Sequence, residues 1–244
     1  MVTKNKKLII AGPCAVESKQ NFIKVVDKIY KHVDIIRAGV WKARTSPKDF
    51  SGAGNKALGW IKKAQKKYKI PFAIEVGTGK HVELALKHGI RIVWIGARTT
   101  CSPFTIQEIA HEAKGEDIEI WIKNPIFSDL KLWCGAIDRL SSNKIKIIHR
   151  GFYDENVTKF RNSPRWDLVK KIRSIYSKIP IICDPSHITG NRELIYSTSK
   201  KAISLDFDGL MIEVHNNPKI AMSDQNQQIT PEKLIEILKR LGLK

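Results

Sequence analysis

The 244-residue sequence predicts an α/β fold, a single (β/α)8 TIM barrel, on three observations. Short β-branched runs recur eight times. Segments with helical spacing of apolar residues lie between them, and no linker, low-complexity tract or compositional break divides the chain. The runs are near-continuous rather than alternating, the pattern of parallel strands buried on both faces. Residues 1–244 are therefore read as one barrel domain.

Taken in order, the first run is LIIAGPC (8–14), stopped by Gly12-Pro13 just before a lone thiol, Cys14. The amphipathic QNFIKVVDKIYKHV leads to DIIRAGV (34–40), and NKALGWIKKAQKKYKI, with its lysines on a polar helical face, leads to PFAIEVG (71–77). HVELALKHG precedes RIVWIGAR (91–98), and FTIQEIAHEAKG precedes IEIWIKN (118–124). KIKIIHRG (144–151), IPIICDPS (179–186) and DGLMIEVH (208–215) complete the eight. In the closing PEKLIEILKRLG, Thr230 is an N-cap and Pro231 fits the first turn. Asn216–Thr230 is the longest stretch without periodicity, and a long loop after a barrel strand is more often functional than idle.

A hydrophobic content of 42% is ample for a packed core. No segment approaches the ~20 apolar residues of a membrane span, and MVTKNKKLII lacks the build of a signal peptide, so a cytoplasmic protein without a membrane partner is expected. The four cysteines, Cys14, Cys101, Cys134 and Cys183, lack C-x-x-C spacing and are expected to be reduced. The net charge is +19, and of 43 basic residues 11 are arginine and 32 lysine. The lysines fall mostly on helix faces, which describes a solvated surface and not a sequence-specific nucleic-acid reader.

Catalytic residues of such a barrel sit at the C-terminal ends of its strands. Strand ends one, seven and eight present Cys14, His187 and Glu213, and the loop after strand eight presents Asp224. Each has a bland explanation alone, as a small core thiol, a turn cap or an ion-pair partner. Four on one rim make a soft-and-hard donor set suited to one divalent metal ion: Mn, Fe, Co or Zn. A second set is cationic: Arg37 and Lys42 on and after strand two, Arg98 ending strand four, Lys123 ending strand five and Arg150 ending strand six, with Arg44 behind Lys42. Arg37 and Arg98, following apolar runs, are read as buried guanidinium groups that need an anion. So many cations facing one mouth imply ligands bearing phosphate or carboxylate, which arginine holds bidentately.

The runs AGPCAVES, RAGVWKARTSP, WIGART, WIKNP, HRGF, CDPSHITG and GLMIEVHNNP followed by SDQNQQ resemble 3-deoxy-D-arabino-heptulosonate 7-phosphate (DAHP) synthase, in order, from about residue 9 to 228. The likeness is greatest to the form fused to chorismate mutase, although no mutase or regulatory domain is read in this chain. The resemblance implies a transferase of the shikimate pathway to chorismate and the aromatic amino acids. It would condense phosphoenolpyruvate with erythrose 4-phosphate and water in an aldol-type, metal-dependent reaction. It further implies that Cys14, His187, Glu213 and Asp224 are the metal ligands. Arg37, Lys42, Arg98, Lys123 and Arg150, with the backbone of Ala97, would hold phosphoenolpyruvate, and Arg44 and Thr45 the sugar phosphate. Lys42 would be the catalytic acid, and Glu75 either a partner of the attacking water or a rim ion pair. A homo-oligomer, and a separate chorismate mutase as docking partner, are also expected.

The usual Lys-Pro-Arg-Thr of that family is KART here, with Ala43 in place of the stiffening proline. The sister family, 3-deoxy-D-manno-octulosonate 8-phosphate synthase, uses arabinose 5-phosphate and spaces its two cations by three. Lys42 and Arg44 are two apart, and one extra residue would shift a guanidinium by roughly 3.3 Å, so the spacing favours the four-carbon sugar. A polyanion-binding barrel without catalysis is the distant alternative, favoured by the net charge alone. Duplex DNA is expected to bind weakly and to dissociate at moderate salt by counterion release; a gel-shift titration at physiological salt checks this, and a tight sequence-selective complex would overturn it.

Overall fold

The computed structural model describes residues 6–243. Residues 1–5, the first half of the MVTKNKKLII stretch that bears on a signal peptide, lie outside the described residues, as does Lys244. The strands are β1 (Leu8–Gly12), β2 (Ile35–Ala38), β3 (Phe72–Val76), β4 (Ile92–Ile95), β5 (Glu119–Lys123), β6 (Lys144–His149), β7 (Ile181–Cys183) and β8 (Gly209–Glu213). They pair in parallel in sequence order, and β1 also pairs with β8, so the sheet closes into the expected barrel. The helices are α1 (Lys19–Ile29), α2 (Asn55–Tyr68), α3 (Gly79–Lys87), α4 (Pro103–Ala113), α5 (Leu130–Arg139), α6 (Trp166–Ile175), α7 (Ile195–Ser204) and α8 (Pro231–Arg240). Ser18, Thr78, Ser102, Asp129 and Thr230 cap their helices through side-chain oxygens that accept a backbone N–H, and Pro103 and Pro231 occupy first turns. Among the described residues no helix is long and apolar enough to cross a membrane.

Strand periodicity decides what faces the lumen. Ile10, Ile35, Ala73, Trp94, Trp121, Ile148, Ile182 and Met211 form one buried cluster, separate from the larger cluster shared with the helices. Trp94 and Trp121 are register partners on β4 and β5 and plug the barrel. Each ring system buries roughly 150–250 Å², about 4–6 kcal/mol of hydrophobic stabilisation.

Two residues beyond each member of that layer, toward the C-terminal end, come Gly12, Arg37, Glu75, Gly96, Lys123, Arg150, Asp184 and Glu213. An apolar floor thus carries a layer of charge broken by two glycines. The long loops at 39–54, 150–165 and 214–230 stand around it. The sequence singled out only the last of these, because charged residues at helix-like intervals mask the other two.

On the outer face of β6, His149 is fully buried beside Phe152, Trp166 and Phe207, and its Nε2 lies 2.6 Å from the Pro164 carbonyl. Burial pushes its pKa down to about 4, so the ring is neutral in the fold. An unfolded histidine titrates near 6.5, so this contribution to stability is intact above that pH and is lost as pH falls toward 4. The expected loss between pH 7 and pH 5 is about 2 kcal/mol, read as a drop in the denaturation midpoint. His149→Gln is expected to flatten that dependence; an equally steep profile in the variant would assign it to other groups.

Candidate active site

Cys14, just past β1, and Glu213, closing β8, come together because β1 pairs with β8 through Gly12 and Glu213. Asp224 reaches them from the 214–230 loop, and its Oδ2 lies 3.1 Å from the Cys14 Sγ. Ligand atoms of Cys14, Glu213 and Asp224 all fall within 4.8 Å of one another. His187, in a short helical turn (Pro185–Thr189), aims Nε2 at the same point, 3.7 Å from Glu213 Oε1 and 4.0 Å from Asp224 Oδ2. The four side chains read as donors therefore converge. Burial first, then Glu213 and Asp224, raises the thiol of Cys14 well above its ordinary pKa. Burial lowers His187, leaving a neutral imidazole. Glu213 Oε1 has no hydrogen-bond partner among the described residues. A thiol, two carboxylates and a neutral imidazole pressed together in this way fit a divalent cation of the Mn, Fe, Co or Zn kind.

The charged layer beneath the mouth is paired across the barrel. Arg37, fully buried as expected, places Nη2 3.0 Å from Glu213 Oε1 and stacks its guanidinium 4.9 Å from the Trp94 ring centroid. Its Nη1 has no hydrogen-bond partner among the described residues. Lys123 donates to Asp184 Oδ2 at 2.9 Å, and the same oxygen lies 2.8 Å from His187 Nδ1. Lys42 Nζ donates to Glu75 Oε2 at 2.9 Å. Burial opposes the charge on Lys42, but Cys14 and Glu75 more than offset it and raise its pKa, so the amine is an ammonium. Burial likewise opposes ionisation of Glu75, and Lys42 with Lys123 overcomes it.

The loop after β2 is anchored on both sides of the exposed Ala43. Trp41 stacks on His81 at 3.9 Å between centroids, the Lys42 N–H donates to Ser51 O at 2.9 Å, and Arg44 Nε donates to Phe50 O at 2.9 Å. These contacts hold the loop where a proline would otherwise stiffen it.

A cavity of about 460 Å³ opens over this layer. Six cations line it (Lys42, Arg44, Arg98, Lys123, Arg150 and Arg161) against three carboxylates (Asp49, Glu75 and Asp224), an excess that calls for anionic ligands. Arg150 Nη1 donates to Asn162 Oδ1 at 2.8 Å. Thr45 and Ala97 also border the cavity, and Arg98 Nη2 donates to Thr45 Oγ1 at 3.2 Å.

Arg98 departs from the sequence reading. It is exposed rather than buried, because β4 stops at Ile95 and the chain turns into a helical turn at Ala97–Thr100. Three residues were not anticipated. Asp184 links Lys123 to His187; Arg161 binds Asp224; and Gln227 donates to Glu213 Oε2 at 2.7 Å. Asp184 was detectable, lying two residues past Ile182 in the lumen-facing register. Arg161 and Gln227 sit in loops, where no periodicity marks them.

Fold and site define the class: a (β/α)8 enzyme with an anion-selecting mouth above a cluster of metal-type donors. The chain belongs to the DAHP synthetase I family, whose model matches residues 2–242. It is accordingly a transferase of the 3-deoxy-7-phosphoheptulonate synthase type, with a role in the shikimate pathway. It is 30% identical over 239 residues to the phospho-2-dehydro-3-deoxyheptonate aldolase of Thermotoga maritima, covering 96% of this chain and 69% of that one. The crystal structure of a Thermotoga maritima DAHP synthase superposes with a TM-score of 0.86 at 26% identity, covering 98% of this chain and 69% of the other. A more distant likeness, 27% over 263 residues, is to the 2-dehydro-3-deoxyphosphooctonate aldolase of Desulfotalea psychrophila, covering 96% and 88% of the two chains.

Gly96 leaves the space that Glu75 fills: a Cβ there would lie 2.4 Å from Glu75 Oε1. Gly96→Ala is expected to push that carboxylate off Lys42, lowering kcat/KM at least about tenfold. The obstructing atom ends a flexible side chain, so the melting temperature should move by only a few degrees, roughly 1 kcal/mol of stability. Unchanged kinetics would show that the Lys42–Glu75 pair is dispensable.

Proposed function

We propose that this chain condenses phosphoenolpyruvate with erythrose 4-phosphate and water to give 3-deoxy-D-arabino-heptulosonate 7-phosphate and inorganic phosphate, with one divalent ion held by Cys14, His187, Glu213 and Asp224. The observation that carries the reading is the convergence of those four donors under a mouth lined by six cations. When bound, such an ion supplies Lewis-acid polarisation of an aldehyde.

The chain's own groups account for the rest. Lys123 and Arg150 in the cavity lining, with the fully buried Arg37 in the same charged layer, suit the phosphate and carboxylate of phosphoenolpyruvate, and Arg98 and the backbone of Ala97 also border the cavity. Arg44 and Thr45, in the loop beside Arg98, suit the phosphate of the sugar. C3 of the enol attacks the aldehyde carbon, and Lys42 delivers its proton to the oxygen that gains charge. Water then adds at C2, its first proton passing to Glu75 and on to the Lys42 amine, and the second leaves with the departing phosphate as the C2–O bond to phosphate breaks and the C2 ketone forms. The mutual burial of Lys42 and Glu75 holds proton donor and acceptor in one hydrogen bond.

Metal removal and add-back with both aldoses tests the whole reading. Chelation is expected to abolish turnover and Mn²⁺ or a similar ion to restore it, while Cys14→Ala folds without activity; full turnover by metal-free protein would sink the metal assignment. Erythrose 4-phosphate is expected to show a much higher kcat/KM than arabinose 5-phosphate. Arg44→Ala should raise the KM of the aldose about 10- to 100-fold, and that of phosphoenolpyruvate less, the scale of one lost charge-assisted hydrogen bond. Equal or better use of the five-carbon sugar would assign the chain to the octulosonate reaction.

A further inference from the structure

Arg161 is a cation of the mouth to which the condensation gives no task, and its surroundings are unusually well specified. Its backbone N–H donates to Thr189 O at 3.2 Å, and that of Asn162 donates to Ile188 O at 3.1 Å. Asn162 Nδ2 also donates to His187 O at 2.7 Å. The 150–165 loop is thereby pinned to the turn that carries His187, and Arg161 has a fixed origin relative to that imidazole.

From there Arg161 Nη1 reaches two acceptors, Asp224 Oδ1 at 2.9 Å and Gln227 Oε1 at 2.8 Å. Gln227 in turn donates Nε2 to Glu213 Oε2 at 2.7 Å. Each carboxylate of the donor cluster is thus occupied on one oxygen, directly or through one amide. The other oxygens are Asp224 Oδ2, which accepts from Cys14 Sγ at 3.1 Å, and Glu213 Oε1, which lies 3.7 Å from His187 Nε2 and is ion-paired with Arg37 Nη2 at 3.0 Å. Both face the cluster. The amide of Gln227 has only one workable orientation, since a flip would set its NH₂ against the guanidinium and its carbonyl against the carboxylate. Arg161 therefore fixes the polarity of the relay as well as one end of it.

Two further features favour this assignment. Asp224 has φ +47, the left-handed region that costs a non-glycine residue energy and persists when surrounding contacts hold it. A thiolate and two carboxylates would also place three negative charges around a dication, and a guanidinium within 2.9 Å of one carboxylate offsets the surplus.

We infer that Arg161 is a positioning residue that selects which oxygen each of Asp224 and Glu213 presents to the metal, acting on Asp224 directly and on Glu213 through Gln227. This rests on the metal site proposed for Cys14, His187, Glu213 and Asp224. It sets Arg161 apart from the cations that hold substrate, although it shares their cavity.

The test is a chelator-competition titration of metal-free protein with Co²⁺, following the cobalt–thiolate absorption. Wild type is compared with Arg161→Ala, Arg161→Lys, Gln227→Ala and the double alanine variant. Arg161→Ala is expected to weaken cobalt binding about 10- to 100-fold and to alter the absorption spectrum, with Arg161→Lys recovering part of the affinity. Gln227→Ala should lose less, and the double variant should lose less than the product of the two single losses, because both act through one relay. Cobalt binding as tight as wild type with an unchanged spectrum in Arg161→Ala would overturn the assignment, as would multiplicative losses. So would a variant whose only change is a raised KM for either substrate, since that marks a phosphate anchor. Should the alanine variant fail to fold, Arg161→Lys and Gln227→Ala carry the same comparison. Failure of the wild type itself to bind cobalt would remove the metal site and this inference together, whereas normal wild-type binding with unaffected variants removes only the inference.

Discussion

The site depends on the ion pair between Arg37 and Glu213, both fully buried, laid across the floor of the barrel above Trp94. A guanidinium taken out of water needs a counter-charge, and an isolated carboxylate in the same place would be equally costly. Each makes the other tolerable, but neither is saturated: Arg37 Nη1 and Glu213 Oε1 lack hydrogen-bond partners among the described residues. An apolar pair of similar volume could fill this layer more cheaply. What the ionic pair supplies is incompletely satisfied polarity, set directly against the ring of Trp94 in the apolar layer below. The other pairs, Lys123 with Asp184 and Lys42 with Glu75, repeat the scheme around the ring.

Much of this was legible in the sequence because a closed parallel barrel imposes a period of two on what enters its lumen. Arg37, Glu75, Lys123 and Glu213 each follow a lumen-facing apolar residue by two, so their inward direction could be read before any coordinates. Cys14 and His187 were legible by a weaker rule, the position of chemistry just beyond strand ends. Arg98 shows where that rule stops. Its apolar run continues past Ile95, but the chain has already turned into a helix, and a residue three beyond a strand end has no fixed direction. Arg161 and Gln227 were invisible for a related reason: their task is set by hydrogen bonds between loops, and loops leave no periodic trace.

The surface charge and the site charge are separate matters. The net +19 comes largely from lysines on solvated helices, whose effect on a small anion is screened within about 8–10 Å at ordinary ionic strength. The cavity's excess is carried mostly by arginines held in place by carbonyls and side-chain oxygens: Arg44 by Phe50 O, Arg98 by Thr45, Arg150 by Asn162 and Arg161 by Asp224 and Gln227. Fixed donors lose little freedom when an anion arrives, which mobile lysines cannot offer. The bulk charge therefore says little about what the protein binds.

The closure of β1 against β8 has a consequence in time as well as space. Cys14 and Asp224 are 210 residues apart, and their meeting waits on the pairing of the first strand with the last. During synthesis the thiol of Cys14 emerges 210 residues ahead of Asp224 and has to wait for it. Any ligand that bridges those donors binds only the finished ring, so its binding free energy is added wholly to the closed state and to none of the open intermediates. In this architecture occupancy of the centre acts as a seal, recording that assembly is complete.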